Sequence, residues 1–274
     1  MSWQADENEI WATISKRLQA AQALILAAHP DDETIGASQF LAWFPNSSVV
    51  FLTDGAPRDQ RLWSAGQIGS REEYAGMRRE EAVRALTHAG ILSEQISWLG
   101  AVDQEAVLEI PHLTKGLLQI LSDRRPGAIV THPYEGGHPD HDAAAVVARI
   151  AVMLCKDEVR PLLLEMTSYH ARDGRCVTGE FLTAEGGSEF VFALSDADGE
   201  RKQRMMQEYA SQRLVLENFP IHPERIRLAP EYDFARPPHE GKLWYECMGW
   251  PMTGPRWREL ARAALEEFQE CSCR

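Results

Sequence analysis

No stretch of this 274-residue sequence is apolar for long enough to cross a membrane. Its uncharged apolar runs stay under ten residues, whereas a spanning helix needs about twenty. Cysteine is scarce. Cys155, Cys176, Cys247, Cys271 and Cys273 are odd in number and irregularly spaced, with no C-x-x-C pair, which excludes a disulfide framework and fits a reducing cytoplasm. The last two sit in the final four residues and read as a frayed tail. Positive charge is in deficit: 28 Lys and Arg against 41 Asp and Glu leave a net charge of −13. General binding to nucleic acid or to anionic membrane is thereby excluded, because phosphates need basic patches. The N-terminal Met1–Glu7 stretch is acidic and lacks an apolar h-region, so no signal peptide is expected and the localisation reads as cytoplasmic. There is no internal repeat and no low-complexity segment. No linker is long enough to divide the chain with confidence.

What is present is an alternation of short apolar runs with helical periods. Ile10, Ile14 and Leu18 fall at helical spacing within residues 7–20. Apolar runs at 23–28, 49–53, 96–99, 128–131 and 162–166 read as strands, separated by helices over 34–44, 71–89, 112–124 and 139–155. Asp31 or Asp32 stands where a cap for the second helix is expected. This order implies an α/β fold: a mostly parallel sheet flanked by helices, Rossmann-like, with right-handed crossovers. After residue 170 the pattern loosens. A strand at 190–194, a helix at 198–214, a Pro-rich stretch without elements at 219–242, a strand at 243–246 and a helix at 255–268 make a smaller α+β extension. The expected organisation is one domain over 1–274, with a core at about 22–170 and an extension at about 171–274 covering the active-site edge.

Chemistry concentrates after the first and fourth strands. Ala27-Ala28-His29-Pro30-Asp31-Asp32-Glu33 follows one; Thr131-His132-Pro133-Tyr134-Glu135-Gly136-Gly137-His138-Pro139-Asp140-His141 follows the other. In the common doubly wound order these strands are neighbours at the reversal point, where ligands bind. His29, Asp32 and His141 would give a His₂Asp set with a position left for water, as catalytic zinc sites have. His132 is an alternative ligand. No G-x-G-x-x-G follows the first strand, and the carboxylates there would repel a pyrophosphate, so a non-catalytic nucleotide- or metal-binding module is the weaker reading.

The pairing of A-H-P-D-D-E with G-G-H-P-D-H resembles the LmbE-like (PIG-L) deacetylases, zinc-dependent hydrolases that remove an acyl group, usually acetyl, from an amino sugar or glycoconjugate. Thr53-Asp54-Gly55-Ala56, the Arg78-x-x-Glu81 helix and Lys202 with Tyr209-Ala210-Ser211-Gln212 are similar to further family segments. The resemblance implies His29, Asp32 and His141 as ligands of Zn²⁺ (or Fe²⁺). It implies Asp31 as general base, His138 as the transition-state-stabilising group and Asp140 as the acid beside it, keeping His138 charged. Arg78 and Glu81 are spaced to pair with each other. Arg71, Arg78, Glu81 and His239 are candidates for substrate contact, with loops 56–70 and 171–188 reading the substrate. The implied partner is a small N-acylated sugar or glycoconjugate; a sugar–thiol conjugate or a natural-product intermediate is the alternative substrate. A homo-oligomer is left open.

Overall fold

The computed structural model describes residues 3–64, 69–182 and 189–272. Residues 65–68 of the first expected substrate loop, residues 183–188 at the end of the second, and Cys273 lie outside the described residues, while Cys271 falls within the C-terminal helix rather than in a frayed tail. Nine strands and nine α-helices are present among those described. The strands are β1 (Ala23–Ala27), β2 (Ser48–Thr53), β3 (Ile96–Ala101), β4 (Ala128–Thr131), β5 (Leu162–Met166), β6 (Tyr169–Arg172), β7 (Arg175–Thr178), β8 (Glu189–Phe192) and β9 (Glu224–Leu228). The helices are α1 (Trp3–Ala20), α2 (Asp32–Trp43), α3 (Arg71–Thr87), α4 (Ile110–Arg124), α5 (Pro139–Leu154), α6 (Asp196–Glu208), α7 (Arg213–Leu216), α8 (Trp244–Cys247) and α9 (Gly254–Ser272).

Seven strands form one sheet in the order β3-β2-β1-β4-β5-β9-β8. The first five are parallel; β9 runs antiparallel to both β5 and β8. Successive strand residues face opposite sides, so β1 feeds two cores. Ile25 and Ala27 pack with Phe40, Leu86 and Met205 on one face. Leu24 and Leu26 pack with Leu117, Val147 and Trp257 on the other. A strand buried on both faces is an unbroken apolar run rather than an alternation, which is why β1, β2 and β4 stand out in the sequence. Ile14 and Leu18 of α1 are buried in the first of these cores. The chain reverses direction across the sheet between β1 and β4, so the loops after these strands share one edge.

The sequence reading departs from the structure in the last third. β9 lies inside the Pro-rich stretch expected to hold no element. Its Glu224 and Arg227 are buried, so it lacks the alternation of a half-buried strand. Glu224 meets Lys202 Nζ at 3.0 Å, and Arg227 meets Glu165 at 2.8 Å. Residues 243–246, expected as a strand, instead run into α8, with Leu243 as its N-cap. The Glu246 carboxylate accepts the Leu243 N–H and stabilises the helical turn. The expected helix over 198–214 breaks at Tyr209 (φ −84°, ψ 60°). That break lets the Tyr209 hydroxyl donate to Glu33 at 2.6 Å and the Ser211 N–H to Glu81 at 2.9 Å.

Candidate metal and catalytic centre

The β1 loop is shaped by its own carboxylates. Asp31 occupies the position before α2 but makes no side-chain cap there. Its φ of 132° lies in the region that L-residues rarely adopt, a conformation found where surrounding contacts hold it. Those contacts are present. The Asp31 N–H donates to Glu33 Oε2 at 3.1 Å, and Glu33 is held in turn by Thr34 and Tyr209. Arg78, 2% exposed, donates to Pro30 O at 2.6 Å and to Asp31 Oδ2 at 3.2 Å. Freed from capping, the Asp31 side chain faces the cavity. Asp32 does not cap either: its Oδ2 accepts the His29 N–H at 2.8 Å.

The β4 loop is held just as tightly. Asp142 Oδ1 accepts the N–H groups of Gly136 and Glu135. Gly136 adopts φ +68°. A Cβ on Gly137 would stand 1.9 Å from the Tyr169 carbonyl oxygen, so only glycine passes there. His138 starts α5, and its Nδ1 accepts the Asp140 N–H at 3.1 Å. Nδ1 is therefore the unprotonated nitrogen, and Nε2 carries the proton.

At the shared edge Asp32 is the hub. Its carboxylate lies 3.2 Å from His29 Nδ1, 3.3 Å from His132 Nε2 and 3.3 Å from His141 Nε2. His29, His138 and His141 offer one donor atom each within 4.8 Å of one another, and so do Asp32, His132 and His141. The expected trio of His29, Asp32 and His141 draws on both groups, with His141 common to them. Imidazole and carboxylate donors without a thiolate suit zinc or ferrous iron, so the residues fit a divalent cation. Asp103, whose buried Oδ1 has no hydrogen-bond partner, points at the same place, 3.3 Å from His29 Nε2 and 3.7 Å from His138 Nε2.

Burial and neighbours divide these groups by charge. Burial pushes the Asp31 carboxyl up to about 7, against the pull of Arg78 and with the push of Asp32. For Asp32 burial works in the same direction, yet His141 and His132 hold it well below the usual carboxylate range. Burial takes His141 down to about 3, with Asp32 opposing. Burial, His29 and His141 hold His138 well below its ordinary value. For His29 burial is outweighed by Asp103 and the other carboxylates, and the ring is raised. His141 is thus neutral beside an ionised Asp32, the protonation states that metal ligation needs, whereas His29, being raised, has to lose its proton on ligation.

Two expectations are corrected here. Asp140 does not hold His138 in a charged form. Its carboxylate lies 3.9 Å from His138 Nδ1 and is turned to His29 Nε2 at 3.1 Å and to the N–H groups of Gln104 and Ala106. Its work is to fasten the Asp103 loop to α5. Nor do Arg78 and Glu81 pair with each other: Arg78 goes to Asp31, while Glu81 accepts the N–H and hydroxyl of Ser211.

The site floors a cavity of about 600 Å³ whose wall includes His29, Asp31, Asp32, Asp103, His138 and His141. Of the expected substrate contacts only Arg78 is on that wall. Arg71 is tied to Asp54 and Ala56 O, and Glu81 to Ser211. His239 turns to the carbonyl of Glu240. Asp103 and Tyr169, which the sequence reading passed over, are on the wall. Asp103 was findable, since β3 is parallel to β1 and its loop must emerge at the same edge.

Residues 24–152 match the family model described as PIG-L: GlcNAc-PI de-N-acetylase. A probable N-acetyl-alpha-D-glucosaminyl L-malate deacetylase 2 of Bacillus subtilis is 27% identical over 154 residues, 55% of this chain and 69% of that protein. A 1D-myo-inositol 2-acetamido-2-deoxy-alpha-D-glucopyranoside deacetylase 2 of Saccharopolyspora erythraea is 28% identical over 145 residues, 44% of this chain and 52% of that protein. Among solved structures, the A40926 pseudoaglycone deacetylase Dbv21 superposes with a TM-score of 0.58 at 16% identity, covering 77% of this chain and 98% of that one. That likeness speaks to the fold. The segment that matches the PIG-L, or LmbE-like, family model carries His29, Asp31, Asp32, Asp103, His132, His138, Asp140 and His141.

Proposed function

We propose that this protein is a metal-dependent N-deacetylase acting on an N-acylated amino sugar or a small glycoconjugate. The observation that carries this reading is the Asp32 carboxylate within 3.3 Å of three imidazoles, with Asp31, paired with Arg78, beside it at the cavity floor. The family-model match and the deacetylases among the similar proteins support the reaction type.

His29, Asp32 and His141 would hold the cation, which when bound polarises an amide carbonyl and acidifies a water. Asp31, with a carboxyl near 7, accepts the proton of the attacking water and then delivers it to the departing amine nitrogen, as suits a group poised near working pH. Arg78 fixes Asp31 from the side away from solvent. His138, neutral and carrying its proton on Nε2, donates to the oxygen that becomes negative. Asp103 lies within reach of both His29 and His138 and orients the pair.

The test is acetate release from simple N-acetylglucosaminides by purified protein, with metal content measured alongside. Chelation should abolish turnover, and zinc or ferrous iron should restore it. Metal-free protein that gains no activity with either ion counts against the reading.

A further inference from the structure

The cavity above the floor combines a cluster of apolar side chains with the neutral polar ones of Gln104, Thr178, Gln212 and Asn218. Among the described residues ten large apolar side chains are exposed, and four of them, Leu62, Leu214, Val215 and Met248, line this one cavity. They are 39%, 64%, 48% and 50% exposed, against 7% or less for His29, Asp32 and His141. Trp244, Trp250 and Phe219 join them on the wall, and Trp250 meets His138 edge-on at a ring separation of 4.8 Å. Apolar side chains gathered at a site mouth mark a binding surface. Charge gives the second observation. Among the described residues the only Lys or Arg on the wall is Arg78, which is buried and committed to Asp31, while Asp31, Asp32 and Asp103 are on the floor. Arg58 and Arg71 are paired with Glu105 and Asp54 and stand off the wall, and Arg213, between wall residues Gln212 and Leu214 in sequence, is exposed and not on it.

We infer that the substrate is an N-acyl amino sugar glycoside whose aglycone is uncharged and apolar. This rests on the deacetylase reading. The reacting amide has to reach the floor, so the sugar and its aglycone extend toward the mouth. There an alkyl or aromatic group covers Leu214, Val215 and Met248. An anionic aglycone, such as the L-malyl group in the name of the Bacillus relative, meets no unpaired cation on the described wall.

The experiment compares methyl, butyl and hexyl 2-acetamido-2-deoxyglucosides, the L-malyl glycoside, and a methyl glycoside with an N-hexanoyl group. The expected result is a kcat/KM that rises about two- to fourfold per methylene along the aglycone series, with the malyl compound below the hexyl one. Leu214→Ser and Met248→Ser, both surface changes, should cut the hexyl-to-methyl ratio of kcat/KM by about threefold each, and an unchanged ratio in both overturns the inference. A flat aglycone series, a preference for the malyl compound, or a gain along the N-acyl chain in its place overturns the inference. If no compound releases its acyl group as acetate or hexanoate, the reaction assignment fails separately. Calorimetric binding of the hexyl and methyl 2-amino glycosides then decides the subsite: tighter hexyl binding lost in Leu214→Ser supports it, and equal binding overturns it.

Discussion

Asp31→Asn separates the proton carrier from the metal ligands. The change removes one ionisable oxygen and keeps the shape, and Asn tolerates a positive φ better than most residues. A general base contributes about 10²- to 10⁴-fold, so kcat should fall by that factor while bound metal stays at the wild-type level. The structure also supplies the folding side. Lifting the carboxyl from 3.8 to about 7 means the folded chain prefers neutral Asp31 by about 4 kcal/mol over the unfolded chain. A raised carboxyl contributes stability that is fully present below the unfolded value and is lost as pH rises through the folded one. In chelator-treated protein that loss runs from about pH 4 to about pH 7, and the Asn variant should not show it. Denaturant unfolding at both ends of the window reads this directly. Wild-type activity should rise with pH along an acid limb at or below pH 7, because a cation beside Asp32 adds to the pull of Arg78. Residual activity above about a tenth of wild type, or loss of metal from the variant, refutes the division of labour between Asp31 and Asp32.

Two further outcomes follow from the supports of the site. Gly137→Ala pushes a methyl into the Tyr169 carbonyl and must displace the His138 loop. Activity should drop at least about tenfold, with destabilisation of about 1–3 kcal/mol; near-normal turnover would show that the loop position is unimportant. Glu165 is pushed up to about 7 by burial against the opposing pull of Arg227, so its contribution is also present at low pH and lost through about pH 7. Glu165→Gln should flatten that part of the pH dependence of stability, by up to about 3 kcal/mol. Equal pH dependence in both proteins would remove Glu165 as a source.

The parallel half of the sheet was legible in the sequence because its strands are apolar on both faces and their loops carry the reactive groups. His29, Asp31, Asp32, His138 and His141 were found by the same route, and the structure brings them to one edge. The last third was not legible, for a physical reason. β9 has charged residues at buried positions, and their partners, Lys202, Glu165 and Glu135, are distant in sequence. No local pattern can announce a strand whose burial depends on such pairing. The same holds for the break at Tyr209, which is set by Glu33 and Glu81 rather than by any turn residue. The role of Asp140 escaped because neighbouring charges in sequence read as partners, whereas its carboxylate is turned to the Asp103 loop instead.

The buried carboxylates Glu33, Glu81 and Glu135 all belong to the segment 24–152, yet each takes a hydrogen bond or ion pair from beyond it, through Tyr209, Ser211 and Arg227 respectively. The half of the chain that carries the candidate site is therefore not a cassette. Joined to a foreign C-terminal half, it would carry three acids sealed from water with their outside partners gone, and such groups resist burial. The rim differs: Leu62, Leu214 and Met248 are 39%, 64% and 50% exposed, so substitutions there leave the buried pairs between the two halves of the chain untouched.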